Sequence, residues 1–380
     1  MCSKHVIVNM ATVSGGGGLQ ASVSFVESIL QSETQGISFF FIFSRQVFAN
    51  LDPEWTGRLR HIVLSGSPAN PLFGRGCRRQ IEALYQAEKP DVVYSIGFPS
   101  YVRAPKIEVG RYTNGWEFLE FNLAWQQLTF TEKIARTLRT WYRRSWAKRA
   151  THFETQTVEA KSGLVRVLGI DPERIKVFPN SLNKRFTNFL NADSGPLPPQ
   201  QPYRIFCFAA EHRHKNLIMS VMAGAALSID YGLQCKFVFT LKSDSEIWKE
   251  ILSMSIKLGI QAQMCNLGPI SLDESIRQYA MSHCVFVPSL AEIFSATYIE
   301  AMAMRVPIVT SDLAFAREVC GNAALYFNPT DPNSAAEAIS KVLKDLKLRQ
   351  CIVEEGLRKV RLYPSSEDKN HSAIEWISSL

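Results

Sequence analysis

Two carboxylates, Glu292 and Glu300, flank the start of a predicted helix. The apolar run 284–288 predicts a buried strand, and the run that begins at Tyr298 predicts a helix. Glu292 then precedes the helix and Glu300 lies about one turn inside it. The two carboxylates can therefore contact different parts of one ligand, such as the hydroxyls of a sugar and of a ribose. A structural role for Glu300 fits equally, because acids stabilise helix amino ends.

The residues between the two glutamates suit phosphate binding. Small side chains at a helix start let backbone amides approach a phosphate, and the helix dipole there favours negative charge by roughly 0.3 to 1 kcal/mol. The sequence therefore predicts that a ligand phosphate contacts the loop and first turn formed by Ile293, Phe294, Ser295, Ala296 and Thr297.

Two cations, Arg213 and Lys215, follow the predicted strand 204–209. Cations at this spacing can bind the two phosphates of a leaving nucleotide diphosphate. Such a group gains charge as a glycosidic bond breaks, so fixed cations stabilise the transition state more than the ground state. A solvated turn fits the spacing equally well. A metal site at His212 and His214 is disfavoured, because the sequence offers no third ligand.

A glycine-rich loop follows the first predicted strand, residues 5–10, and precedes a predicted helix. Gly16, Gly17 and Gly18 would let backbone amides approach a phosphate at the amino end of that helix. The glycines do not complete the G-x-G-x-x-G spacing, and the second strand ends near Arg45 instead of an acidic ribose ligand, which disfavours an NAD site. A flexible loop is the alternative.

Short apolar runs alternate with helical patterns along the chain, which predicts parallel sheets with crossover helices. The rhythm lapses in a segment rich in Pro, Asn and Gln and then restarts. The expected fold class is α/β, with two Rossmann-like doubly wound domains facing across a cleft. The expected parts are a first domain over 1–186, a linker over 187–202, a second domain over 203–358, and a C-terminal helix within 359–380 that returns to the first domain.

The composition of the chain bears on the number of its domains and on its cellular location. A chain of 380 residues with 46% apolar content can bury two cores. Its eight cysteines are scattered without a CxxC pair, which is typical of reduced cytoplasmic thiols. The start lacks a signal-peptide pattern, and the longest apolar run, 37–43, is far below the roughly 18 residues of a transmembrane helix. We expect a cytoplasmic protein, and its net charge of +7 comes without a nucleic-acid-binding motif.

A basic amphipathic helix is predicted over 132–149. Apolar side chains recur on one side of it, namely Ile134, Leu138, Trp141, Tyr142 and Trp146. Cations lie largely off that side, namely Lys133, Arg136, Arg139, Arg143 and Arg144. Two interpretations stay open. The helix docks on an anionic membrane surface, where each cation contributes about 1 kcal/mol, or its aromatic side packs on the domain core while the cations face water.

The C-terminal half resembles glycosyltransferase family 4, the large retaining family with the GT-B fold. Glu292 and Glu300 reproduce its Glu-x7-Glu motif. Pro288-Ser289 before the first glutamate and the segments 300–303 and 306–309 also resemble the family. Further similarity lies in 318–327, in 175–181 and in His214-Lys215-Asn216, which is similar to the family's diphosphate-binding corner.

The resemblance implies that Glu292 contacts the donor sugar, that Glu300 contacts the nucleotide ribose, and that Arg213 and Lys215 contact the diphosphate. Base and sugar selectivity would depend on the loop at Gly268 and Pro269 and on the surroundings of Glu292. The resemblance also implies a metal-free reaction without a cofactor, in which the leaving phosphate accepts the proton of the acceptor.

The sequence departs from the family pattern at three places. Ser295 stands where the family commonly has Gly, Ala209-Ala210 stand where Gly-Arg is usual, and no His follows the fourth predicted strand. The assignment of the family's arginine role to Arg213 is therefore a hypothesis of its own. Local candidates for the acceptor side are Tyr94, Ser95, Asn114 and Trp116.

The expected function is transfer of a hexose, with retention, from GDP-mannose or a UDP-hexose to a glycan or lipid-linked acceptor. The resemblance places this reaction in surface polysaccharide or lipopolysaccharide biosynthesis, with the enzyme in the cytoplasm or peripheral on the inner face of the cytoplasmic membrane. Two alternatives stay open, namely a sugar-nucleotide epimerase or hydrolase of the same fold, and a non-catalytic partner subunit that binds a sugar nucleotide.

Overall fold

A computed structural model describes residues 4–31, 36–117, 123–191 and 197–380. These residues form two compact units. The first comprises the described parts of 1–118 with 134–179 and 366–380, and the second comprises the described parts of 119–133 and 180–365. Residues 192–196 of the predicted linker lie outside the described residues. Residues 1–3, part of the chain start that was considered for a signal peptide, lie outside them as well.

In the described part of the first unit, seven parallel strands form one sheet in the order β3-β2-β1-β4-β5-β6-β7. The strands are β1 (Lys4–Met10), β2 (Ile37–Ser44), β3 (His61–Leu64), β4 (Val92–Ser95), β5 (Ile107–Arg111), β6 (His152–Thr155) and β7 (Ile175–Val177). The chain moves outward from β1 to β3 and then returns to place β4 beside β1, with Val6 level with Val92. This is the strand order of a doubly wound sheet.

Helices cover both faces of this sheet. They are α1 (Gly16–Gln31), α2 (Arg45–Phe48), α3 (Pro53–Thr56), α4 (Arg75–Glu88), α5 (Phe130–Ala147) and α6 (Val158–Leu168), together with the C-terminal helix Ser366–Ser379. Helix α5 has its first four residues in the second unit. The C-terminal helix belongs to the first unit, because Ala373, Ile374 and Ile377 are buried in the same core as β1 and α1.

In the second unit, the described strands form a six-stranded parallel sheet in the order β10-β9-β8-β11-β12-β13. The strands are β8 (Tyr203–Cys207), β9 (Cys235–Phe239), β10 (Met264–Asn266), β11 (Cys284–Val287), β12 (Ile308–Ser311) and β13 (Leu325–Phe327). The helices are α7 (Lys184–Thr187), α8 (Ile218–Tyr231), α9 (Glu246–Lys257), α10 (Leu272–Ala280), α11 (Ala296–Ala303), α12 (Ala314–Cys320), α13 (Pro332–Lys344) and α14 (Leu346–Val360), so that the C-terminal helix Ser366–Ser379 is α15.

Small residues allow helix α8 to lie close to the second sheet. Ala223, Gly224 and Ala225 are buried on its inner side. A Cβ atom at Gly224 would come within 2.9 Å of the Phe237 ring on β9. The helix ends at Gly232, whose left-handed backbone is a common helix stop.

The two parallel sheets confirm the predicted α/β fold class of two doubly wound units. The expected boundaries differ from the units at three places, because the described parts of 119–133 and residues 180–186 and 359–365 belong to the second unit. Residue 197 of the predicted linker also packs there, where its carbonyl accepts a hydrogen bond of 2.6 Å from the buried Arg349 guanidinium.

Candidate functional site

In the second sheet β8 and β11 are paired neighbours, and the strand order changes direction between them. Ligands of open α/β sheets bind beyond the carboxyl ends of strands at such a switch point. The segments 208–217 and 288–295 leave these two ends. They contain Lys215 and Glu292, so the topology brings together two residues that are far apart in the sequence.

Lys215 and Glu292 form a direct ion pair between the ammonium Nζ and the carboxylate Oε1. Both side chains are largely buried, with 14% and 12% of their surface exposed. Burial opposes ionisation of Glu292, but the charges of Lys215 and His214, together with hydrogen bonds from Lys215 and Ser289, hold the pKa of Glu292 below its usual value. The backbone amide of Leu290 donates to the carbonyl of His214 at 2.7 Å and ties the two loops together.

Arg213 stands in the same short 3-10 turn, Arg213–Lys215, but its side chain has other partners. Its guanidinium donates two hydrogen bonds to Glu250, at 2.9 and 3.1 Å, and lies 3.3 Å from Glu132. Hydrogen bonding to Glu250 is the main reason that the pKa of Arg213 is raised. The structure therefore brings Lys215, and not Arg213, into contact with Glu292; a diphosphate contact for Arg213 stays a prediction.

Glu300 lies in the second turn of α11, and its carboxylate accepts a hydrogen bond of 2.8 Å from the hydroxyl of Tyr279. Burial raises the pKa of Glu300 to about 7, and the bond from Tyr279 acts in the opposite direction. Tyr279 is fully buried and packs edge-on against the rings of Phe186 and Phe206. Sequence reasoning did not identify Tyr279, because nothing local to α10 marks it as a partner of a residue on α11.

Helix α11 begins directly after the loop that holds Glu292. Ser295 is the N-cap residue, but its side chain makes no capping hydrogen bond. Ile293 and Phe294 are buried, whereas Ala296 is partly exposed at the first turn. Thr297 is buried, and its hydroxyl lies 3.4 Å from the carbonyl of Phe208 at the end of β8. The residues predicted to contact a phosphate therefore lie at a helix start beside the segments 208–217 and 288–295. The phosphate contact itself stays a prediction.

Gly268 and Pro269 follow β10, two strands away from β8 in the same sheet. Gly268 has a left-handed backbone with φ of 74°, a conformation that glycine adopts without strain. Its amide donates to the side chain of Asn266 at 3.3 Å. The loop is ordered by Asn266, which also bonds the backbone of Leu241 through both ends of its amide. A role in base or sugar selection stays a prediction.

The sequence of this region matches a known family. Residues 195–359 match the model of the family described as glycosyl transferases group 1. This segment, less than half of the chain, is similar to the group 1 glycosyltransferases. It contains the ion pair of Lys215 and Glu292, and also Glu300.

One curated relative shows the same similarity. The O-antigen chain mannosyltransferase RfbU of Salmonella typhimurium is 27% identical over 195 residues, 51% of this chain and 52% of that protein. The alignment therefore spans about half the length of this curated relative.

Two solved structures share the fold. Sucrose-phosphate synthase from Thermosynechococcus elongatus has a TM-score of 0.74 at 16% identity, with 99% of this chain and 98% of that chain covered. HepE from Anabaena, solved in complex with UDP-glucose, has a TM-score of 0.70 at 15% identity, with 99% and 100% covered.

The remaining predicted residues lie in the first unit, outside the segment that matches the family model. Gly16, Gly17 and Gly18 form the exposed start of α1, and Gly16 has a left-handed backbone with φ of 60°. Space is open around Gly16 and Gly17, because a Cβ atom at either would meet nothing within 4 Å. The loop is accessible at a helix amino end, and its predicted phosphate contact stays a prediction.

Tyr94 and Ser95, proposed from the sequence for the acceptor side, are buried at the end of β4. The Tyr94 hydroxyl donates to Glu154, and the Ser95 hydroxyl donates to Glu108 at 2.8 Å. Burial raises the pKa of Glu108 to about 7 against the hydrogen bonds that it accepts. These two hydroxyls are therefore used inside the first unit and are not presented at its surface.

Asn114 and Trp116 lie together beyond the end of β5. The amide of Asn114 donates to Glu117 at 2.7 Å, and its oxygen accepts from the backbone of Trp116 at 3.2 Å. The guanidinium of Arg136 lies 4.1 Å from the centroid of the Trp116 ring. Trp116 is buried and Asn114 is partly exposed, so of the four proposed acceptor-side residues Asn114 is the most accessible.

Groups of three or more His, Cys, Asp or Glu side chains that could hold a metal ion do not occur among the described residues. The rings of His212 and His214, considered above as a metal pair, stack at 5.3 Å.

Proposed function

We propose that this protein transfers a hexose from a nucleotide diphosphate sugar to a glycan or lipid-linked acceptor, with retention of the anomeric configuration and without a metal ion. The acceptor would be an intermediate of surface polysaccharide or lipopolysaccharide biosynthesis. The enzyme would act in the cytoplasm or on the inner face of the cytoplasmic membrane.

One observation carries the proposal: the ion pair of Lys215 and Glu292 lies at the switch point of the second sheet, within the segment that matches the group 1 glycosyltransferase model. The bond to be broken joins a sugar to a diphosphate. A carboxylate suits the hydroxyls of the sugar, and a neighbouring cation suits the negative charge of the diphosphate. When a donor binds, the carboxylate would exchange part of this pairing for hydrogen bonds from sugar hydroxyls, and the ammonium would contact the departing phosphate. Glu300, nearby in sequence on α11, supplies a second carboxylate suited to ribose hydroxyls.

The proposed reaction uses charge rather than a protein base. As the bond between the sugar and the diphosphate lengthens, negative charge develops on the leaving oxygen, and Lys215 with the start of α11 stabilises it. The leaving phosphate then accepts the proton of the acceptor hydroxyl. This happens on the face of the donor sugar on which the new bond forms. Arg213 joins the diphosphate only if it leaves Glu250, so we assign Lys215 the larger share.

The names of similar proteins indicate which donor sugar nucleotides should be tested first. RfbU is named a mannosyltransferase of the O-antigen chain, whereas HepE was solved with UDP-glucose. RfbU is 27% identical to this chain over the aligned residues and HepE is 15% identical, so we propose GDP-mannose as the first donor to examine and UDP-hexoses as the second.

A thermal-shift panel of UDP, GDP, ADP and their sugar conjugates, with EDTA present, tests the donor site. We expect one nucleotide family to raise the melting temperature of the wild type, and we expect Glu300→Ala to abolish the shift. The absence of a shift with every nucleotide would overturn the donor site. A shift that appears only when a divalent metal replaces EDTA would overturn the metal-free reaction.

An activity assay with the donor so identified completes the test. Release of the nucleotide only when a glycan acceptor is added, with the anomeric configuration of the product read by NMR, supports a retaining transferase. Release without an acceptor would instead indicate a hydrolase or epimerase. Binding without any turnover across acceptors would indicate a non-catalytic subunit.

A further inference from the structure

The guanidinium of Arg213 is surrounded by carboxylates, although it lies beyond the carboxyl end of β8. Its Nη1 and Nη2 atoms donate to the two oxygens of Glu250 at 3.1 and 2.9 Å, and its Nε atom lies 3.3 Å from an oxygen of Glu132. All three residues belong to the second unit. Two acids around one cation leave an excess of negative charge at this end of the sheet, which opposes the binding of an anion.

We propose that Glu250 is a positioning residue, which holds Arg213 away from the diphosphate of the donor and thereby sets the affinity of the site for nucleotide. Binding of the diphosphate exchanges the Glu250 carboxylate on Arg213 for phosphate oxygens. Release of the nucleotide returns Arg213 to Glu250. This inference rests on the proposed function, because it concerns the same donor site.

Glu250 is the acid that holds Arg213, because Glu132 is committed elsewhere. The backbone amide and the hydroxyl of Thr129 donate to Glu132 at 2.8 and 2.9 Å, and the amide of Glu132 donates back to that hydroxyl at 3.3 Å. This reciprocal arrangement is a capping box at the start of α5. The bonds from Thr129 are the main reason that the pKa of Glu132 is lowered. Glu250 instead directs both of its oxygens at Arg213.

The pair of Arg213 and Glu250 is exposed enough to exchange partners. The two side chains are 33% and 47% exposed, whereas Lys215 and Glu292 are largely buried. Exposed ion pairs add little net stability, so a ligand can replace one partner at small cost. A diphosphate offers a guanidinium the same two-oxygen geometry as a carboxylate and carries more negative charge. Arg213 is therefore the cation of this turn that a diphosphate can draw from its protein partner.

The exchange requires rotation of one side chain and no movement of the turn. Arg213 and Lys215 lie two residues apart in one 3-10 turn. The amide of Lys215 donates to the carbonyl of His212 at 2.9 Å, and the amide of Asn216 donates to the carbonyl of Arg213 at 3.0 Å. These bonds fix the backbone of the turn. The long side chain of Arg213 can then change direction while Lys215 keeps its place.

Calorimetric titration of the full chain tests the proposal. GDP, UDP and the nucleosides guanosine and uridine are titrated, with EDTA present, into wild type, Glu250→Gln, Arg213→Gln and the double variant. Glu250→Gln keeps the shape of the side chain and removes its charge. We expect this change to lower the Kd of the bound nucleoside diphosphate about threefold to fivefold and to leave the Kd of the nucleoside unchanged.

The double variant separates an effect through Arg213 from an effect of charge alone. We expect Arg213→Gln to weaken diphosphate binding, and we expect Arg213→Gln/Glu250→Gln to bind no more tightly than Arg213→Gln. Tightening by Glu250→Gln that persists without Arg213 would overturn the proposal, because the carboxylate would then act by general repulsion of the ligand.

A matched control lies one turn earlier on the same helix. Glu246→Gln makes the same change in net charge on α9, where Glu246 is exposed and pairs with Lys249 at 2.7 Å. Its Kd for the nucleoside diphosphate should stay within about twofold of the wild type. Equal tightening by Glu246→Gln and Glu250→Gln would overturn the proposal.

Thermal melting and the sign of the change in Kd distinguish a structural role. If Glu250 only stabilises the turn, Glu250→Gln lowers the melting temperature and leaves the Kd unchanged or higher, and the inference fails. That result, with nucleotide bound by the wild type, leaves the proposed sugar transfer intact. A wild type that binds none of the nucleotides would overturn the donor site and this inference together.

Discussion

At the residue scale, Lys215 offers the most direct test of the site. Lys215→Met removes the cation from the leaving phosphate and leaves the largely buried Glu292 carboxylate without its partner. We expect kcat/KM for sugar transfer to fall by about 10² to 10³, the range for loss of one group that stabilises developing charge. Steady-state kinetics with the donor and acceptor measure this.

The control for this change is Lys236→Met, which removes an exposed lysine from β9 in the same unit and should leave kcat/KM within about twofold. A second comparison is the double variant Lys215→Met/Glu292→Gln. Because the two residues act as one unit, its loss should be smaller than the product of the two single losses. A double variant whose loss in kcat/KM equals the product of the two single losses would contradict a shared role of Lys215 and Glu292.

Glu300 predicts a pH dependence of nucleotide binding. Burial raises the pKa of Glu300 to about 7, and the ionised carboxylate is the better acceptor for ribose hydroxyls. Affinity should therefore rise with pH and level off above 7, with a gain of about tenfold between roughly pH 6 and 8 if only the ionised form binds. Isothermal titration calorimetry across this range measures the effect.

Tyr279 determines where that pH transition lies. Its hydroxyl bond lowers the pKa of Glu300 against the effect of burial, so Tyr279→Phe should move the transition to higher pH. Glu300→Gln should weaken binding and remove this transition. A transition that stays in place in Glu300→Gln would assign the titration to another group, such as a histidine, and would contradict the role of Glu300.

Single residues show what local sequence can and cannot supply. Lys215, Glu292 and Glu300 could be proposed as site residues because they occupy strand ends and a helix start, positions that periodicity predicts, and their roles stay predictions. Tyr279 and Glu250 were not found, because their contacts join residues 21 and 37 positions apart on different elements. The engagement of Arg213 with Glu250 likewise depends on how α9 packs, which no local pattern encodes.

At the element scale, the turn that presents Lys215 depends on Asn216. This buried residue ends the turn Arg213–Lys215 in a left-handed conformation, with φ of 50°. A β-branched residue is disfavoured there, so Asn216→Val should cost about 1 to 2 kcal/mol of stability and displace Lys215. Asn216→Gly accepts the same backbone and should keep more activity. Thermal melting and kcat/KM distinguish the two, and equal behaviour would contradict this account.

Two long apolar strands were predicted closely, and two strands that carry buried charge were missed. Predicted strands 37–43 and 284–288 agree closely with β2 and β11. Strands β5 and β6 were absent from the prediction, since Glu108, Arg111 and Glu154 interrupt their apolar runs. All three charged residues are buried, and Arg111 and Glu154 lie 3.2 Å apart. Only the assembled sheet supplies the partners that make such strands stable.

At the scale of the whole molecule, alternation of strands and helices was sufficient to predict two doubly wound units, because parallel sheets need apolar strands and crossover helices. Unit boundaries were harder to predict. The described parts of 119–133 join the second unit although the chain before and after them belongs to the first. Such membership depends on which core a segment packs against, and a composition change along the sequence does not report it.

The C-terminal helix α15 should stabilise the first unit specifically. Ile374 is buried in the core that contains Val6 and Phe25, more than 300 residues earlier in the chain. Ile374→Ala should therefore lower the stability of the first unit by about 2 to 5 kcal/mol. Amide hydrogen exchange resolves the effect, because peptides from β1 should exchange faster while peptides from β8 keep their protection and the nucleotide thermal shift persists. Equal loss of protection in β1 and β8 would mean that the two units unfold as one.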